Sequence, residues 1–238
     1  MWHGPVMFPY SFTKKYKPNN ILVFYDDNCG LNYVLYENKR MYFPRDWDKC
    51  SIQSYYSFLL AEQDASSPHL YLTDNFQVQP CDVVVDVGTA EGNFALSVVE
   101  KAKKLYLFET EKQWLKPLKE TFAPWRDKVV IVNKYVSDQT KNNCVKLDDF
   151  FKAGKINFLK ADIEGAELQM LDGAEHLLAA AKNLKIVLCT YHKQRDAELF
   201  KKILTASGFQ TEFSKGYMIV PLEFAPPYLR RGLIRAVK

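Results

Sequence analysis

No Cys-x-x-Cys pair occurs in the sequence, although it holds 5 cysteines. They stand singly, at Cys29, Cys50, Cys81, Cys144 and Cys189. An odd, scattered set argues against both a disulfide framework and a zinc site, and for a reducing, cytoplasmic setting. The N-terminus lacks a basic stretch followed by an apolar one. No apolar run approaches the ~20 residues of a membrane span. Charge of one sign is also missing: 32 basic residues face 28 acidic ones, for a net charge of +4. That balance is too even to require nucleic acid as a partner. There is no internal repeat and no low-complexity tract. What remains is a globular composition, 47% hydrophobic and 25% charged over 238 residues. This length holds one large domain, or one domain with an appendage.

The stretch Val83 to Ala95 organises the rest. Val83, Val84 and Val85 read as a strand buried on both faces. Asp86 follows, then a turn with Gly88, Thr89, Ala90, Glu91 and Gly92. From Asn93 the apolar positions Phe94, Leu96, Val98 and Val99 begin a helix. Strand, glycine turn and helix form the first unit of a doubly wound sheet, with a nucleotide-like ligand at the turn. The turn departs from Gly-x-Gly-x-x-Gly, because Ala90 takes the middle place. Asp86 is awkward for a pyrophosphate and suits a ligand with a cationic end, such as S-adenosylmethionine.

Strands alternate with helices after this unit, which predicts an α/β fold with a mostly parallel sheet. Leu105 to Glu109 is the second buried strand, ending in a carboxylate placed to accept hydrogen bonds from ribose hydroxyls. Glu111 to Phe122 is a helix, and Val129 to Asn133 the third strand. Asp138, shortly after it, is the candidate for the adenine amino group. Leu147 to Phe151 is a short helix capped near Asp148 and ending at Gly154. A fourth strand runs from Ile156 to Ala161. Asp162, Glu164 and Glu167 then arrive around Gly165, and one helix carries Leu168 to Leu178. Leu184 to Thr190 is the fifth strand, with His192 at its carboxyl end. Arg195 to Ser207 is a helix, and 209–213 with 217–220 read as a closing antiparallel hairpin.

The remaining segments read as appendages. Residues 1–79 carry a solvated arm over 1–20, then an aromatic β-meander and a helix over 48–64 with Ser51 as its N-cap. The meander's tyrosines offer sugar-stacking faces or a cover for the core edge. Residues 80–220 are the catalytic domain. Residues 221–238 are a basic tail, read as a docked or frayed terminus with a weak membrane-surface contact as the alternative.

The segments Asp-Val-Gly-Thr-Ala-Glu-Gly (86–92), Leu-Phe-Glu (107–109), Val-Ser-Asp (136–138), Leu-Asp-Asp-Phe (147–150) and Lys-Ala-Asp-Ile-Glu-Gly-Ala-Glu (160–167) resemble the FkbM family of S-adenosylmethionine-dependent methyltransferases. The family commonly has Gly-Ala-Asn-x-Gly where this chain has Gly88 to Gly92, so Glu91 adds a carboxylate near the ligand. The resemblance implies a Rossmann-like class I methyltransferase fold. It also implies S-adenosylmethionine as cofactor, and O-methylation of a saccharide or related small molecule.

On this reading Asp86, Gly88, Thr89, Glu91, Gly92, Asn93, Glu109, Asp138 and Asp162 hold the cofactor. His192, Glu164 and Asp162 act on the acceptor, His192 as the base suited to neutral pH. The same three residues are also sensible ligands for a divalent metal, but acid–base chemistry accounts for them without one. A non-catalytic module binding a glycan or a membrane is the alternative. RNA or protein methylation lacks both a basic groove and an Asn-Pro-Pro-Tyr-type motif.

Overall fold

The computed structural model describes residues 7–152, 155–221 and 226–238. The helix end expected at Gly154 lies outside them. Strands β1 (Phe24–Asp26), β2 (Leu31–Tyr36) and β3 (Lys39–Tyr42) form an antiparallel meander. Helix α1 (Lys49–Glu62) follows. Its N-cap is Asp48, whose carboxylate accepts from the Ser51 N–H at 2.7 Å; Ser51 therefore lies in the first turn, with Asp48 satisfying an orphan donor.

The main sheet has seven strands in the order β11-β14-β10-β9-β4-β5-β6. These are β4 (Val83–Val87), β5 (Lys104–Phe108), β6 (Val129–Val132), β9 (Phe158–Ala161), β10 (Lys185–Cys189), β11 (Gln210–Phe213) and β14 (Leu233–Val237). Strands β4, β5, β6, β9 and β10 pair in parallel, and β14 runs antiparallel to both β10 and β11. Chain order reverses between β4 and β9, so the switch point lies there. One core cluster joins α1, the glycine-turn helix α2 (Asn93–Val98) and α3 (Lys112–Thr121) to one face of the sheet. The other joins α5 (Glu167–Asp172), α6 (Glu175–Ala180) and α7 (Asp196–Ala206) to the opposite face.

Several expectations need correction. The closing antiparallel pair is β11 with β14, not 209–213 with 217–220. Short strand β12 (Met218–Ile219) pairs instead with β13 (Leu229–Arg230). The tail thus supplies a strand inside the main sheet. Three of its four cations are committed to backbone oxygens: Arg230 donates to Tyr191 and His192, Arg235 to Leu70 and Tyr71, and Lys238 to Leu178 and Ala179, while Arg231 lies over the Phe213 and Tyr217 rings.

Residues 7–20 of the arm are exposed along much of their length but anchored at several points. Phe8 and Phe12 are buried, and Lys15 and Tyr16 bind the Asp64 carboxylate at 2.9 and 2.7 Å. The expected helix over 168–178 is two, broken at Gly173, where a Cβ would strike the Ser137 carbonyl. Short strands β7 (Tyr135–Val136) and β8 (Cys144–Val145) form a separate parallel pair. Asp148 lies in helix α4 (Leu147–Phe151), but its carboxylate caps α6, accepting from the His176 and Leu177 N–H groups.

Candidate active site

A cavity of about 370 Å³ opens beyond the carboxyl ends of β4, β5 and β9, where an open α/β sheet holds its ligand. The glycine turn forms its floor. Gly88 has φ +74°, and a Cβ there would collide with the Asp162 carbonyl. The turn therefore packs directly on the end of β9, an approach open only to glycine. Thr89 donates to the Asp86 carbonyl at 3.0 Å, and Ala90 sits at φ +47°. Gly92, at φ +87°, begins α2.

Glu109 closes β5 and faces the cavity. Its Oε2 accepts from the Ala90 N–H at 2.7 Å and its Oε1 from the Glu111 N–H at 2.6 Å. Each oxygen keeps a lone pair for a further donor. Thr89, Glu91 and Asn93 also line the wall. Glu91 accepts from the hydroxyl of the half-buried Tyr55 at 2.7 Å, and burial raises the Glu91 pKa. The Glu91 carboxylate thus ties the glycine turn to α1.

Asp86 is placed differently from its expected role. It is fully buried and absent from the cavity wall. In the β4–β9 register it lies directly opposite Lys160, whose Nζ stands 3.0 Å from Asp86 Oδ1. Lys160 also donates to the Gly88 carbonyl at 2.7 Å and reaches the cavity wall itself. Burial alone would lower the Lys160 pKa; Asp86 and Asp162 outweigh it and raise it. Asp138 is exposed and off the wall, where Lys134, Tyr135 and Val136 stand instead.

The other end of the cavity is built around Asp162. Tyr71 donates to its Oδ2 at 2.9 Å and Tyr191 to its Oδ1 at 3.3 Å. Glu164, at φ +56°, ends the extended run, yet it still joins Asp162 on the wall. Phe58, Leu59 and Glu62 of α1 face them. His192 is 5% exposed and stands behind this wall rather than in it. Its Nδ1 lies 2.8 Å from Glu167 Oε1, and its Nε2 lies 3.4 Å from Asp162 Oδ1 and 3.9 Å from Glu164 Oε2. Burial pulls the His192 pKa down; the Glu167 pair, with Asp162 and Glu164, overcomes that and holds it at about 9.

The roles of Tyr71 and Tyr55 are not legible in the sequence, because an isolated tyrosine in a loop or helix signals nothing by spacing; Tyr191 is legible as a residue of the cleft at the end of the fifth strand, but not as a partner of Asp162. Sequence reasoning missed Lys160 because a lysine inside an apolar strand reads as an exception. The register opposite Asp86 was the available signal.

The strand order, with one reversed strand between β10 and β11, and the cavity at the switch point define a class I methyltransferase fold. The Methyltransferase FkbM domain model matches residues 29–217, and the chain belongs to that family. That family is one of methyltransferases, a class that uses S-adenosylmethionine in general. A methyltransferase FkbM from Methylobacillus flagellatus KT is similar in structure, with a TM-score of 0.57 and 16% identity. That match covers 80% of this chain and 53% of the other, so this chain spans about half of that relative's length. A Streptococcus thermophilus rRNA methylase aligns at TM-score 0.48 and 17% identity, over 68% of this chain and 89% of that one. No curated protein matches the sequence. No helix among the described residues is long and apolar enough to cross a membrane.

Proposed function

We propose that the chain transfers a methyl group from S-adenosylmethionine to a hydroxyl of a saccharide or a glycosylated small molecule. The observation that carries this is one cavity with two differently equipped ends. Glu109 and the glycine turn form one end, Asp162 with two tyrosines the other. The residues fit the cofactor. Glu109 has lone pairs left for ribose hydroxyls, and Gly88, Thr89, Glu91 and Asn93 line the turn against which it would lie, while Gly92 packs on Phe122 and Leu118 and shapes that turn. Tyr135 and Val136 take the adenine side in place of Asp138. Asp86 supports the site through Lys160. When bound, S-adenosylmethionine supplies an electrophilic methyl carbon.

The chain's own task is to hold the acceptor oxygen in line and to take its proton. Asp162 is the group on the wall that can accept that proton. His192, paired with Glu167, stands behind it as a positioning residue. Tyr71 and Tyr191, both buried, hold the Asp162 carboxylate in place, and Glu164 accepts from the hydroxyls of a sugar.

Incubation with methyl-labelled S-adenosylmethionine and a pool of oligosaccharides, read by mass spectrometry, tests the reading. Asp162→Asn is expected to lower turnover ~10²-fold or more, with affinity for S-adenosylhomocysteine nearly unchanged. A protein that binds S-adenosylhomocysteine but labels no saccharide would be a binding module or a methyltransferase of another acceptor class.

A further inference from the structure

We propose that His69 Nε2, Asp162 Oδ2 and Cys189 Sγ form a site for one divalent transition-metal ion, of which zinc is the first candidate, beneath the acceptor end of the cavity. The three residues come from separate elements: the loop after α1, the end of β9 and the last position of β10. Their ligand atoms all lie within 4.8 Å of one another. His69 Nε2 is 3.5 Å from Cys189 Sγ and 3.8 Å from Asp162 Oδ2. Zinc bonds of about 2.0 to 2.3 Å at tetrahedral angles separate their ligand atoms by roughly 3.3 to 3.7 Å; the His69–Cys189 separation falls in that range and the His69–Asp162 separation just outside it. A direct histidine–carboxylate pair is shorter, at about 2.7 to 2.9 Å, and the same protein has one, His192 with Glu167 at 2.8 Å. The group Asp162, Glu167 and His192 is therefore closed by a direct ion pair, whereas in the His69 group the Nε2–Sγ contact is a hydrogen bond to sulfur that a metal would replace.

Three further observations agree. Glu62 Oε1 lies 4.0 Å from His69 Nδ1, on the side away from the cluster, near enough to move into the orienting position that a carboxylate takes behind a metal-bound imidazole. Tyr71 fixes Asp162 Oδ2 at 2.9 Å. Charge also balances. His69 and Cys189 are both fully buried, and the nearby cation Lys160 is already matched by Asp86. One carboxylate and one thiolate neutralise a divalent ion. Binding then releases the Cys189 thiol proton to solvent as the sulfur–metal bond forms. An imidazole–thiolate pair selects a zinc-like ion over magnesium or calcium. Cysteine spacing could not reveal such a site, because it uses one thiolate and the fold assembles it.

The test is metal analysis of protein grown with zinc and purified without chelator, and it does not depend on methyl transfer. About one zinc per chain is expected. Replacement by cobalt should give a near-ultraviolet thiolate-to-cobalt band. His69→Ala and Cys189→Ser should each weaken metal binding tenfold or more, while Glu167→Gln retains it. If either variant fails to fold, zinc-edge X-ray absorption of the wild-type protein decides. One sulfur neighbour at about 2.3 Å is expected. A wild-type chain that takes up no metal and gives no cobalt band, or bound zinc with no sulfur neighbour, overturns the proposal.

Discussion

Glu109 shows how one side chain serves structure and ligand together. Its two oxygens already hold the N–H groups of Ala90 and Glu111. This fixes the glycine turn against the end of β5 before any ligand arrives. The remaining lone pairs face the cavity, where hydroxyl donors gain a charged acceptor. Glu109→Gln keeps the size and removes the charge. It is expected to weaken S-adenosylhomocysteine binding by ~1.5–3 kcal/mol, the scale of a hydrogen bond to a charged group. That is roughly a 10- to 100-fold rise in Kd by calorimetry. Unchanged affinity in a folded variant would place the ribose elsewhere.

At the scale of elements, the arm and the tail carry more than their sequences suggest. Asp64, just past α1, ties down the arm. Burial would raise its pKa, but hydrogen bonds from Tyr16 and Ser66 and the Lys15 charge hold it at about 2. A depressed carboxylate stabilises the fold above its unfolded pKa of about 3.9 and loses that contribution as pH falls towards 2. Asp64→Asn should therefore lower Tm at pH 7, with the gap to wild type closing between about pH 4 and 2. A gap constant with pH would mean that the carboxylate charge is not what holds the arm.

Strand β14 is the second case. Ile234 is fully buried between β10 and β11. Ile234→Asp should destabilise the protein by ~3 kcal/mol or more, through an unpaired buried charge and lost packing. Wild-type Tm in that variant would restore the reading of a loose tail.

The same two elements explain what the sequence made legible. Strands β4, β5, β6, β9 and β10 were readable because apolar runs alternate with helical spacing. The acids at the ends of β5 and β9 were readable because charge at the end of a buried run has few other uses. Strand β14 was not. Arg235 interrupts its pattern, and the carbonyls of Leu70 and Tyr71 that accept from Arg235 lie far away in the chain. Gly173 was passed over because the apolar period of 168–178 continues across the break. His192 was correctly placed at the end of its strand. Its partner Glu167 and its position behind Asp162 depend on how two strand ends meet, which periodicity does not encode.

At the scale of the molecule, the seven-stranded sheet sets the glycine turn and Glu109 on one side of the switch point and Asp162 on the other. Helix α1 roofs both ends of the resulting cavity. The Tyr55–Glu91 hydrogen bond locks that roof to the turn. On the proposed function, this cavity holds S-adenosylmethionine despite the missing middle glycine and the buried Asp86. Calorimetric titration of the wild-type chain with S-adenosylhomocysteine, and separately with NAD, tests it most directly. The account predicts saturable binding of one S-adenosylhomocysteine per chain and no heat with NAD. Binding of NAD with no response to S-adenosylhomocysteine would contradict it.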